Sequence, residues 1–173
     1  CLVGSEMCIR DRRRNAAPRE IMDIVIAAIG HMKPSPELDL LSKYVKQTRW
    51  NVVVREFEDK KSGSAFEHKK REGDLLLSAV PAGAKIVVLD ERGKMTGSEA
   101  FAHKLGAWQD AGVPAVAFLI GGADGHTEEI RQKADYLLAF GEMTWPHMLA
   151  RVMLTEQIYR AKTILDGHPY HRA

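Results

Sequence analysis

Two glycine-bearing loops contain the residue types in this chain that best suit a ligand site. Residues 121–125 (G-G-A-D-G) directly follow an apolar run, and residues 141–146 carry Met143 and Trp145 between polar ends. Glycine lets the backbone approach a ligand closely, and loops at the carboxyl ends of parallel strands form pockets. The glycine spacing fits neither the dinucleotide fingerprint nor the phosphate loop, which disfavours a nucleoside triphosphate site. The loops therefore suit a flat, partly apolar molecule, although a tight strand-to-helix turn would need the same glycines.

The histidines supply candidates for proton transfer and RNA contact. His147 directly follows the second glycine loop, and His168 and His171 flank a Pro-Tyr pair near the end of the chain. Imidazole groups, together with Tyr170 and Arg172, suit an RNA base and phosphate, whereas simple disorder is the alternative for such a tail. No pair has metal-protease spacing and both cysteines lie among the first eight residues, so no metal site is expected. The remaining histidines are expected on loops or helix surfaces: His31, His68, His103 and His126.

Apolar periodicity predicts the elements that position these residues. Strands are predicted at 23–29, 50–57, 85–90, 114–120 and 136–139, and helices at 35–47, 67–80, 98–111, after Thr127, and at 146–165. This alternation predicts an α/β fold with a mainly parallel sheet and helices on both faces. A loop is expected at 91–97, and Thr144 is expected to cap the last helix. That helix is apolar on more than one face, which predicts a second cover such as another subunit.

Charge and composition limit the possible functions. The 173 residues, 45% hydrophobic and 28% charged, predict one soluble globular domain, and no apolar run is long enough to span a membrane. Residues 1–21 carry five arginines against three acidic residues, a net charge equal to the +2 of the whole chain. The remainder is therefore neutral, so it would not hold a nucleic acid by bulk charge, and any RNA contact is expected to be small and local. We interpret 1–21 as a disordered or non-native leader rather than an RNA-binding arm, and 22–173 as the domain. The lack of a signal peptide and of later cysteines predicts a cytoplasmic location.

Several ordered motifs after Met22 resemble those of a known family. They are L-D-E-R-G-K at 89–94, the run at 118–125, M-T-W-P-H at 143–147, R-V at 151–152, E-Q-I-Y-R-A at 156–161 and H-P-Y-H-R at 168–172. Together they resemble the large-subunit ribosomal RNA methyltransferase H family, a branch of the SPOUT methyltransferases. The resemblance implies a trefoil-knotted α/β fold and a homodimer. It also implies methylation of N3 of a pseudouridine in large-subunit (23S) ribosomal RNA, free or in the ribosome, from S-adenosylmethionine.

The resemblance also assigns site residues. It places S-adenosylmethionine against Leu89, Gly121, Phe140, Gly141, Glu142, Met143, Thr144 and Trp145, although the family often carries Ser where Gly141 stands. The expected RNA contacts are Arg151, His168, Tyr170, His171 and Arg172. A base that removes the N3 proton would assist methyl transfer, and His147, His171 and Glu142 are the candidates between which the sequence does not choose.

Two other functions remain open at the level of the sequence. One is a SPOUT methyltransferase that acts on transfer RNA or on another ribosomal position. The other is a non-catalytic α/β module that binds a nucleotide or a protein through the same loops. Calorimetry with S-adenosylmethionine separates the module from both methyltransferases.

Overall fold

A computed structural model describes residues 22–171, so the leader, Arg172 and Ala173 lie outside the described residues. The elements alternate along the chain: β1 (Asp23–Ile29), α1 (Pro36–Gln47), β2 (Val52–Phe57), α2 (Ala65–Ser78), β3 (Lys85–Met95), α3 (Ser98–Asp110), β4 (Ala115–Ile120), α4 (Glu128–Lys133), β5 (Tyr136–Ala139) and α5 (His147–Leu165). The strands form one sheet in the order β2-β1-β4-β3-β5, and every pairing is parallel. The predicted α/β class and parallel sheet are confirmed.

Both faces of the sheet are covered by helices, as predicted. On one face, Phe101 of α3 and Leu154 and Ile158 of α5 pack on alternate residues of β1, β3 and β4. On the other face, Leu76 of α2 and Ile130 of α4 pack on the intervening residues. The central strands are therefore buried on both faces, which explains their continuous apolar sequences.

The helix starts are set by local side chains in three cases. Ser35 accepts a hydrogen bond from the N–H of Leu38, Ser64 forms a capping box with Glu67, and Thr127 accepts from the N–H of Ile130. The predicted cap by Thr144 is wrong. Helix α5 begins at His147 after Pro146, and no side chain caps it. A capping side chain belongs at the residue directly before the helix, which is Pro146 here. Thr144 lies two residues further back, so its hydroxyl does not accept from the N–H groups of the first turn.

The expected loop at 91–97 is largely replaced by strand. After a register irregularity, β3 continues to Met95, and Leu138 of β5 pairs with both Leu89 and Lys94. Partners on opposite sides of Leu138 account for this double pairing, so we infer that the segment between Leu89 and Lys94 crosses β5. Gly93 makes the crossing possible, because a Cβ there would lie 2.6 Å from the carbonyl carbon of Leu138.

Helix α5 has two neighbours within its own chain. It packs against α1 and α3, with the rings of Tyr44 and Tyr159 5.8 Å apart. These helices supply the second cover that the apolar sequence of α5 predicts, so that sequence does not by itself indicate a partner subunit. Between residues 22 and 171, none of the helices combines the length and apolarity needed to cross a membrane.

Candidate active site

The carboxyl ends of β3, β4 and β5 and the start of α5 surround a cavity of about 270 Å³, here called the strand-end cavity. Most of the residues expected to contact the methyl donor line it: Leu89, Gly121, Phe140, Gly141, Met143, Thr144 and Trp145. Within 139–145, all of which the structure describes, only Glu142 is missing from the lining, and its side chain is exposed. The topology of a parallel sheet thus gathers residues that lie far apart in sequence.

The second glycine loop forms the open side of this cavity. Met143 is 74% exposed and Trp145 is 39% exposed, although both line the cavity. Gly141 has a φ angle of 117°, in the left-handed region that favours glycine. Gly141 therefore offers a ligand its backbone groups and no side-chain hydroxyl.

His126 closes the inner wall of the strand-end cavity. It lies on a loop, as expected, but is almost fully buried, and its Nε2 accepts a hydrogen bond from the N–H of Gly121 at 3.1 Å. Burial lowers the pKa of His126 to about 4, against smaller opposing effects from Asp90 and from the backbone of Leu89 and Leu119. The imidazole is therefore neutral near pH 7, with Nε2 free of a proton.

An ion pair fixes the adjacent wall. Arg131 of α4 donates from Nε to Asp90 at 2.8 Å, and the Asp90 side chain is nearly inaccessible to solvent. Asp90 also accepts from the N–H of Arg92 at 3.0 Å, which stabilises the segment that crosses β5. Asp90 thus both holds the backbone of the segment that follows it and forms part of the polar cavity wall. Glu72 of α2 lies against Gly122, and its pKa is raised, chiefly by burial.

His147 is the expected base that lines the strand-end cavity. It opens α5 and is half-buried. Burial, and secondly the guanidinium of Arg151, lower the pKa of His147, which favours the neutral imidazole.

Arg151 does not lie where an RNA contact requires. Its side chain is fully buried and donates to the carboxylate of Glu56 at 2.8 Å and to the carbonyl oxygens of Ile29 and Gly30. Glu56 also accepts from the N–H of Met32. The two terminal nitrogens of Arg151 therefore tie α5 to the ends of β1 and β2 and are not available to RNA.

The tail folds back along α5 as far as the structure describes it. The hydroxyl of Tyr170 donates to Glu156 at 3.1 Å, and its ring packs edge-on against Tyr159 at 4.7 Å. His171 lies 3.4 Å from Glu99 at the start of α3 and not in the strand-end cavity, while His168 is exposed and accepts from the N–H of Tyr170. The tail thus reaches the outer face of α5, and Arg172 lies beyond the described residues.

Glu72 beside Gly122 and two residues of the cavity wall, His126 and Arg131, have no sequence signal of their own. Their roles depend on contacts with Gly122, Gly121 and Asp90, and only the short distance from Gly121 to His126 is visible in the sequence. Among residues 22–171, no group of three or more histidine, cysteine, aspartate or glutamate side chains is arranged to hold a metal ion.

Comparison with known proteins identifies the family. A family profile described as "Predicted SPOUT methyltransferase" matches residues 22–171. The chain is 55% identical over 152 residues to a protein of Rhodospirillum centenum named "Ribosomal RNA large subunit methyltransferase H", covering 88% of this chain and 100% of that relative. It is 52% identical to the protein of the same name from Paramagnetospirillum magneticum, covering 87% and 99%.

A solved structure supports the fold alone. A probable methylase family protein from Haemophilus influenzae Rd KW20 superposes with a TM-score of 0.54 at 13% identity, covering 88% of this chain and 72% of that one. The profile and the close relatives carry the assignment: this chain belongs to the SPOUT methyltransferase family and, within it, to the group of the ribosomal RNA large subunit methyltransferases H.

Proposed function

We propose that this protein transfers the methyl group of S-adenosylmethionine to N3 of a pseudouridine in large-subunit (23S) ribosomal RNA. The observation that carries the proposal is the strand-end cavity, around which most residues assigned to the methyl donor by resemblance gather. The names of close relatives, which the chain matches over nearly their whole length, support the choice of RNA.

The lining of the cavity fits such a donor. Leu89, Leu138 and Trp145 offer apolar surface to an adenine ring, and glycine-rich backbone at both loops offers hydrogen-bonding groups to its edge. The donor brings a methyl group already activated on a positively charged sulfur. The contribution of the protein is therefore to bind donor and RNA in line and to exclude water.

We assign the role of general base to His147. The N3 of a uracil-type base is a weakly acidic imide, and a neutral imidazole can accept its proton as the methyl group arrives. His147 lines the cavity with its pKa lowered by burial, so the imidazole is ready to accept at neutral pH. Glu142 and His171 lie outside the cavity of their own protomer. Activity should fall at acid pH as His147 becomes protonated.

The tail is the proposed RNA contact. Tyr170 is partly exposed, and the guanidinium of Arg160 lies 4.9 Å from the centre of its ring. An aromatic ring beside a cation suits base stacking and phosphate attraction. We also propose that residues 22–173 form a single methyltransferase domain, that the protein acts in the cytoplasm, and that the leader contributes nothing to catalysis.

Methyl transfer from labelled donor tests the function directly. Ribosomes, large subunits, naked 23S RNA and transfer RNA are offered in parallel, and the product nucleoside is mapped by mass spectrometry. We expect N3-methylpseudouridine in large-subunit RNA alone. Labelling of transfer RNA would support another SPOUT activity, and a folded protein without affinity for the donor in calorimetry would support the non-catalytic module.

A further inference from the structure

His126 joins the two strand ends that carry proposed donor contacts. Its Nε2 accepts from the N–H of Gly121, which follows β4, and its ring interacts with the backbone of Leu89, the last residue of β3 before the register irregularity. The side chain is buried but borders the strand-end cavity. Asp90 and Arg131 also face the imidazole, and they are paired with each other.

This hydrogen bond determines which part of Gly121 is available to a ligand. The N–H of Gly121 is directed at His126, so its carbonyl and Cα are the groups left to face a bound molecule. A Cβ on Gly121 would lie 3.2 Å from the main chain of Gly125 and from Cε1 of His126. The imidazole therefore sets both the direction of the amide and the tightness of the turn.

We propose that His126 is a positioning residue for the methyl-donor site, which holds the Gly121 turn in its binding conformation by accepting the amide proton at Nε2. The inference rests on the proposed function, because it takes the strand-end cavity as the donor site. Without the acceptor, the Gly121 N–H must turn towards water in the cavity. Donor binding must then reverse that rotation or leave a buried N–H unpaired, and either outcome weakens binding.

Three variants of His126 test whether the position of the acceptor atom matters. Glutamine carries a side-chain oxygen at about the distance of Nε2, asparagine carries one only at the shorter distance of Nδ1, and phenylalanine keeps the ring without an acceptor. The variants are His126→Gln, His126→Asn and His126→Phe. His103→Phe, an exposed histidine of α3, is the matched control.

Donor affinity and steady-state kinetics form the first readout. We expect His126→Phe and His126→Asn to bind S-adenosylmethionine about tenfold more weakly or worse, the effect of one unpaired buried N–H. We expect His126→Gln and His103→Phe to stay within about threefold of wild type. The KM for the donor should rise while kcat at saturating donor is retained, whereas simple loss of folded protein lowers kcat. Equal affinity of the phenylalanine and wild-type proteins, or a glutamine variant as weak as phenylalanine, overturns the inference.

Amide hydrogen exchange of Gly121 in glycine-labelled protein is the second readout and requires no ligand. We expect protection in wild type and His126→Gln, and exchange more than about tenfold faster in His126→Phe at equal global stability. An unprotected Gly121 amide in wild type overturns the inference whatever the donor result. Protection in a wild-type protein that does not bind the donor would instead refute the proposed function and leave the positioning contact intact.

Discussion

Any side chain at Gly93 is expected to destabilise the protein, because β3 crosses β5 at this residue. A Cβ built on Gly93 lies 2.6 Å from the carbonyl carbon of Leu138 and 2.8 Å from main-chain atoms of Leu137 and Ala139. Ordinary contacts begin at 3.4 Å, so Gly93→Ala must push two backbones apart by most of an ångström. Overpacking of this kind costs about 1–3 kcal/mol. For a domain of this size, that cost lowers Tm by about 2–12 °C.

Gly97→Ala is the matched control in the same connection, since nothing lies within 4 Å of a Cβ there. Thermal and urea unfolding followed by circular dichroism give the two free energies, and calorimetry gives donor affinity. We expect Gly97→Ala to stay within about 1 kcal/mol of wild type. We expect Gly93→Ala also to bind the donor more weakly, because Leu138 and Ala139 line the strand-end cavity. Two variants of equal stability and affinity would refute the crossing of β5 by β3.

Three further predictions concern the cavity, the buried arginine and the tail. Gly121→Val should abolish donor binding in calorimetry while circular dichroism shows a folded protein, because the valine side chain would press on Gly125 and His126. Unchanged affinity would refute the placement of the donor. Glu56→Ala should lower the free energy of unfolding in urea by about 3 kcal/mol, because Arg151 is then buried without a carboxylate. The control Glu58→Ala, at an exposed position, should change the free energy of unfolding by less than about 0.5 kcal/mol. Deletion of residues 168–173 should preserve donor affinity and remove methyl transfer to RNA, and full activity would show that the tail makes no essential contact.

The sequence predicts elements well wherever a local pattern determines them. The bounds of β1 and β5 agree with the continuous apolar runs, and Thr127 caps α4 as its position before two glutamates suggests. The continuation of β3 beyond Asp90 could not be predicted, because D-E-R-G-K is polar and its strand geometry comes from pairing with distant β5. Long-range contacts override local preference there.

The same distinction applies to the candidate site. The glycine loops and His147 stand out in the sequence, and parallel topology brings the loops together. The burial of Arg151 depends on Glu56, which lies 95 residues earlier in the chain, and no local pattern signals such a pair. Residues whose role depends on one distant partner, such as His126, therefore require coordinates.

A homodimer remains a prediction, and the structure gives it a different basis. Because α1 and α3 already cover α5, its apolar sequence does not require a partner. A groove of about 680 Å³ remains beside α5, between α1 and the start of α3, and its lining includes Leu40, Tyr44, Met95 and Met153. Leu40 is 40% exposed and Met95 is 61% exposed. Exposed apolar side chains around a groove mark an interaction surface, and a second copy related by a two-fold axis can cover it symmetrically.

The position of the tail makes this assembly relevant to catalysis. Tyr170 contacts Glu156, nine residues beyond His147 and thus about 14 Å away along α5, so one protomer does not bring its own tail to its strand-end cavity. The groove shares Phe140 and Gly141 with that cavity, so a partner bound there lies beside the donor loop.

Light scattering at low micromolar concentration should show a dimer, and a monomer refutes the assembly. A chain lacking 168–173 mixed with a Gly121→Val chain should then recover activity that neither has alone, because each mixed dimer retains one intact donor cavity and one intact tail. If the mixed dimers form and stay inactive, the tail acts within its own subunit and the sites are not shared.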